Sequence, residues 1–132
     1  MGTKWEVDAD TGDRKLKGCN DQNSDIEEAL TGTDQDNWNP TGLATANRII
    51  VNCSSNTDIT GITAPASSVN QTILIINIGT ANLKLTDEDG SSTAANRIVN
   101  NDNKDIELKN GGGVTITYLQ DQARWFSLMD KK

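Results

Sequence analysis

Beyond Ala44 the apolar residues of this chain fall in runs no longer than a β-strand, and polar turn clusters separate them. The runs are Arg48–Val51 (RIIV), Asp58–Ile62 (DITGI), Thr72–Ile78 (TILIINI), Leu83–Leu85 (LKL), Arg97–Asn100 (RIVN), Ile106–Lys109 (IELK), Val114–Leu119 (VTITYL) and Arg124–Leu128 (RWFSL). A globular helix needs a longer stretch with three-to-four spacing, so this pattern admits short strands and little else. Turn signals roughly every 8–12 residues mark an all-β sandwich or barrel. The expectation is a small antiparallel β-sandwich or jelly-roll-like domain of about eight short strands over residues 43–132.

Individual runs carry finer expectations. VTITYL alternates, with Val114, Ile116 and Tyr118 on one face and Thr115, Thr117 and Leu119 on the other. TILIINI is apolar at both parities and reads as a central strand buried on two faces. In RWFSL, Trp125 and Phe126 must point to opposite sides. Asp89–Ser92 and Gly111–Gly113 read as turns or loops.

Residues 1–42 are polar and thinly hydrophobic, and read as an extended N-terminal arm or anchor. Its one expected element is a short helix over 25–30 (DIEEAL). Ser24 and Glu27 fit a capping box, Ile26, Ala29 and Leu30 form a face, and Gly32 stops it. The loop TDQDNWNPTG follows, with Pro40 and Gly42 as turn residues.

Composition removes whole classes of function. The chain has 132 residues, one domain's worth, with 34% hydrophobic and 4% aromatic residues, a thin core for one copy. Asp and Glu total 19 against 12 Lys and Arg, a net charge of −7 that disfavours nucleic acid as a partner. No run approaches the ~20 apolar residues that cross a bilayer, so no membrane partner is expected, and MGTKWEVDAD has no apolar core for a secretory signal. Histidine is absent, which takes away the commonest general base and metal ligand. Without it the serines Ser67, Ser68, Ser91 and Ser92 form no triad. Gly111–Gly113 lacks the spacing of a phosphate loop. The expectation is therefore not an enzyme, with no catalytic residue, no cofactor and no metal.

Two acidic segments are candidate cation sites. Asp8–Asp13 (DADTGD) alternates carboxylates, but a calcium loop beginning there needs Gly and Glu where Asp13 and Cys19 stand, so a solvated turn is expected. Asp87–Gly90 reads as an exposed hairpin turn with Gly90 at positive φ, a surface cation site being the alternative. Cys53 ends an apolar run and reads as a buried free thiol. Cys19 lies in a polar segment, and the two cysteines permit one pair at most.

Ala46–Ile49 (ANRI) recurs as Ala95–Ile98. Two strands entered through the same turn chemistry explain this, with a duplicated half-sandwich as the alternative. A solenoid is not expected, because it needs at least three sequence repeats.

The order of several pieces resembles a family. Asn37–Leu43 (NWNPTGL), Ile59–Ile62 (ITGI), Ile75–Leu85 (IINIGTANLKL), Ser91–Ile98 (SSTAANRI) and Gly111–Tyr118 (GGGVTITY) with Arg124–Trp125 are similar to the small β-domain of tailed-bacteriophage tail fibres, capsid fibres and decoration proteins. The resemblance covers about residues 36–128. It implies a homotrimeric virion structural protein on the outer surface of the particle. Its partners would be copies of itself and the major capsid protein or another virion protein. The alternative is a tail-fibre domain that binds a host-surface glycan. Surface or interface contacts are expected at Trp5, Asn37, Trp38, Asn39 and Trp125. The tryptophans read as core or interface packing anchors, Trp38 packing its loop onto the sandwich edge and one of Trp125 and Phe126 facing the core, while Asn37, Trp38 and Asn39 are the cluster a sugar would use under the alternative.

Overall fold

The computed structural model describes residues 5–7, 14–16 and 24–128. The strands are β1 (Trp5–Val7), β2 (Arg14–Leu16), β3 (Asp25–Thr31), β4 (Arg48–Ser55), β5 (Thr57–Ile59), β6 (Thr72–Asn77), β7 (Leu83–Leu85), β8 (Ile98–Val99), β9 (Ile106–Leu108), β10 (Gly113–Leu119) and β11 (Arg124–Leu128). The all-β expectation stands. Eight of these strands, β4 to β11, lie beyond residue 43.

The architecture is not an antiparallel sandwich. One sheet has the order β3-β4-β6-β10-β11-β8 and a second the order β5-β7-β9; β1 and β2 pair only with each other. Both larger sheets are mixed. β3, β4 and β6 are parallel neighbours, as are β5 and β7, while β9 and β10 run antiparallel to their partners. The chain winds between the sheets like a solenoid. Asp25 pairs with Arg48 and Arg48 with Leu74, steps of 23 and 26 residues. On the second sheet Gln35 bridges Ile59 and Trp38 bridges Ile62, each a step of 24. The reversed strands β9 and β10 then close the last turn of the winding against β7 and β6.

The coils share inward positions rather than sequence. Ile26, Ile49 and Ile75 stand in one register across β3, β4 and β6, and Val114 of β10 completes the row. Ile59 and Leu85 stand together on the second sheet. Ile49, Ile75, Ile59 and Leu85 are fully buried and belong to one core. Each such side chain contributes about 1.5–3 kcal/mol by leaving water. The ANRI echo is local chemistry. Each copy follows or overlaps a 3₁₀ turn, Leu43–Thr45 or Ala94–Asn96, and leads into β4 or β8.

The expected helix at 25–30 is a strand instead. Two helical turns are too short to stand alone. As β3, the same residues pair with β4 along their whole length and bury Leu30. Residues 25–42 therefore belong to the solenoid itself, not to an arm ahead of it. Asp87–Gly90 is not a hairpin turn, because Asp87 bridges Ile98 in parallel; the positive φ sits on Glu88, at 44°, rather than on Gly90. The Asp8–Asp13 segment and Cys19 lie outside the described residues.

Tyr118, the chain's sole tyrosine, is 2% exposed and donates its hydroxyl to the Ala95 carbonyl at 2.8 Å. Burial raises its pKa above the ordinary value of about 10. The neutral phenol thus contributes stability that is fully present below the unfolded value and is lost as pH rises through the folded one. Phenolate absorbance of the native protein should appear at higher pH than in urea, together with loss of near-ultraviolet circular dichroism. Coincident titrations in the two solvents would contradict this.

Candidate assembly face

The sequence cluster around Trp38 forms an internal latch. Trp38 is 5% exposed and belongs to the core. Its backbone N–H donates to Gly61 O at 2.8 Å, and its carbonyl accepts from Thr63 N at 2.8 Å. Asn37 beside it, at φ 49°, ties successive coils together. Its N–H donates to Ser92 Oγ at 2.8 Å, and its Oδ1 accepts from Thr93 N and Asn96 Nδ2, both at 2.8 Å. Its carbonyl accepts from Thr63 Oγ1 at 3.0 Å. Only Asn39 of the three is exposed. With no free ring face at Trp38, the amides have nothing on which a sugar would stack.

Trp125 is likewise internal. It is fully buried, donates Nε1–H to the Ile62 carbonyl at 2.8 Å, and meets Tyr118 edge-on with centroids 5.1 Å apart. Phe126 points the other way and is half-buried. Trp38 and Trp125 are therefore core anchors, as the packing reading has them, and not surface contacts. Trp5 lies in β1, paired across the register with Leu16.

Cys53 is a buried free thiol that donates to the carbonyls of Ser55 and Asn82 at 3.0 and 3.3 Å. Asp87 and Asp89 spend carboxylate oxygens on the N–H groups of Asn100 (2.7 Å) and Ser91 (2.8 Å). The Ser91 N–H is the main reason the Asp89 pKa is lowered. Glu88 pairs with Arg124 at 2.7 Å and Arg97 at 3.8 Å. Among the described residues no group of three or more His, Cys, Asp or Glu is placed to hold a metal.

What the sequence reading missed is the outer face of the six-stranded sheet. TILIINI was expected to be buried on both sides. Ile73, Ile75 and Asn77 are buried, but Leu74 and Ile76 are only half-buried, and Ile78 just beyond β6 is 52% exposed. Ile50 stands beside Ile76 in the β4–β6 register. Leu74 stands beside Thr115, and Thr115 beside Leu128, which is 54% exposed. Ile50, Leu74, Ile76, Ile78, Phe126 and Leu128 thus lie on one face, from β4, β6 and its end, and β11, with Thr115 and Thr117 of β10 between β6 and β11. Large apolar side chains gathered on one sheet face make it the candidate assembly face. Its β3 side is acidic. Glu27, Glu28, Ala29, Ile50, Asn52 and Ile78 line a shallow depression there. The signal was available in TILIINI, whose outward positions are as apolar as its inward ones.

Arg48 forks onto the Asp25 carboxylate across β3 and β4, with Nε to Oδ1 at 2.9 Å. That hydrogen bond lowers the Asp25 pKa and raises that of Arg48. The pair is solvent-exposed and adds little stability, but it uses the one cation on the outward positions of β3 and β4. No family model, no curated protein and no solved structure matches this chain.

Proposed function

We propose that this chain is a non-enzymatic structural protein of a virion, a homotrimer that decorates the capsid or forms a short fibre there. The observation that carries the self-association is the apolar outer face: six large side chains on one sheet, left partly in water by the chain's own fold. Sharing that face among copies adds the apolar burial that a thin core lacks. The trimer, the phage particle and the capsid partner follow from the sequence resemblance. The tail-fibre glycan reading has lost its stacking aromatic, since Trp38 is in the core.

The test is the mass in solution, with co-sedimentation on capsids and on tails. A trimer that sediments with capsids supports the reading; a monomer at micromolar concentration sinks it. Ile78→Lys should change the stability of the single chain by no more than about 0.5 kcal/mol, as exposed substitutions do. The same change should weaken association about tenfold or more, because it places a charge in a desolvated contact. Unchanged association of Ile78→Lys would show that this face is not the interface.

A further inference from the structure

The solenoid-like winding ends on an open edge. β3 is seven residues long, pairs with β4 on one side, and has no strand on the other among the described residues. An edge of that length offers a row of backbone N–H and C=O groups to any strand that fits. Its charge selects which strand that is. Residues 24–47 contain Asp25, Glu27, Glu28, Asp34 and Asp36 and no Lys or Arg. Asp25 is satisfied by Arg48, whereas Glu27 and Glu28 make no ion pair among the described residues. Glu28 also has the parity of the inward-facing Ile26 and Leu30. A charge at an inward position of an edge strand opposes promiscuous pairing, including that of β3 with a second β3.

The chain also holds a strand with complementary needs. β1 and β2 form a two-stranded sheet of three residues each and join neither larger sheet. A hairpin that small is marginal in water without a third strand or a packing partner. β2 is Arg14-Lys15-Leu16, followed in sequence by Lys17, the densest basic stretch of the chain. Within one chain this hairpin is not part of the sheet that β3 edges.

We propose that the free edge of β3 receives the basic strand β2 of a second copy of this chain, so that neighbouring subunits join by strand addition. Backbone hydrogen bonds supply the affinity. The basic sequence of β2 against the acidic sequence of β3 sets the partner and the register. The inference rests on the self-associating reading above and adds to the apolar face a second contact between copies, at the edge of the same sheet.

Hydrogen exchange of the full chain, read alongside its mass, tests it. The β3 amides that point away from β4 should be protected in the wild type. Glu27→Lys with Glu28→Lys, or Arg14→Glu with Lys15→Glu, should speed their exchange by about tenfold or more while β6 and β10 stay protected. The four-site variant that swaps both charges should recover protection. An oligomer whose outward β3 amides exchange fast overturns strand addition and leaves the self-association reading intact. A four-site variant that stays fast also overturns it. A monomer overturns both, and if its edge amides are protected, the hairpin has closed on its own β3.

Discussion

Asn77→Leu is expected to cost more stability than any other side-chain exchange of similar size in this chain. Asn77 is fully buried at the end of β6. Its Nδ2 donates to the carbonyls of Ala81 and Leu108, both at 2.8 Å, and its Oδ1 accepts from Gly79 N at 2.9 Å. One amide therefore ties β6 to the turn after it and to β9 on the second sheet. Leucine fills the volume and takes the amide partner from two buried groups, the Leu108 carbonyl and the Gly79 N–H, at about 1–3 kcal/mol each, and from the part-buried Ala81 carbonyl. The turn cannot move away to rehydrate them. It lies directly on β4, where a Cβ at Gly79 would collide with the Cys53 backbone. The sum is a large share of the roughly 5–15 kcal/mol that holds a domain together. Urea unfolding should show the variant mostly unfolded or with a midpoint strongly reduced; a loss below about 1 kcal/mol would refute this account. Asn77→Asp should be as damaging at neutral pH, since a carboxylate would face two carbonyls, and should recover partly in mild acid where it protonates.

Trp125→Ala is the second large effect. The indole is wholly buried in β11, beside Ile98 of β8 and against the Tyr118 ring. Truncating a core tryptophan costs about 3–5 kcal/mol. The Tyr118 edge contact, at 75° between planes, adds about 0.5–1.5 kcal/mol to what is lost. The Ile62 carbonyl also loses its donor. For a domain of this size the melting temperature should fall by roughly 10 °C or more. Trp125→Phe separates the contributions, because it keeps most of the apolar body and removes only the Nε1 hydrogen bond and some volume. It should cost about 1–2 kcal/mol. An alanine variant that melts within a few degrees of the wild type would mean that this indole does not anchor β11 to the segment that carries Ile62.

The strands were legible because strand parity is a local property. Val114, Ile116 and Tyr118 are buried and Thr115, Thr117 and Leu119 are not, as their alternation requires. Leu83 and Leu85 bracket Lys84 in the same way. The failures share a different cause. DIEEAL carries apolar residues at spacings compatible with either a helix or a strand, and neighbouring β4 settles the choice by offering seven residues a ladder. The Trp38 cluster reads as a polar surface with an aromatic. The neighbouring coils turn that ring inward by engaging Asn37 from Thr63, Ser92, Thr93 and Asn96.

By itself the sequence determined that this chain is built of short strands, where most of them start, and, in the alternating runs, which residues share a face. Alternation and turn chemistry act over a few residues, and no distant contact is needed to read them. Only the tertiary structure decided that the strands wind in parallel rather than fold back as hairpins. Parallel neighbours are joined by 16-residue connections, 32–47 and 56–71, that pass through the second side of the winding, and the coils repeat a spacing without repeating a sequence. Whether the outward side of TILIINI is covered was decided at the same level. Burial of an outward face depends on what is packed over it, and in this fold Leu74, Ile76 and Ile78 stay partly in water.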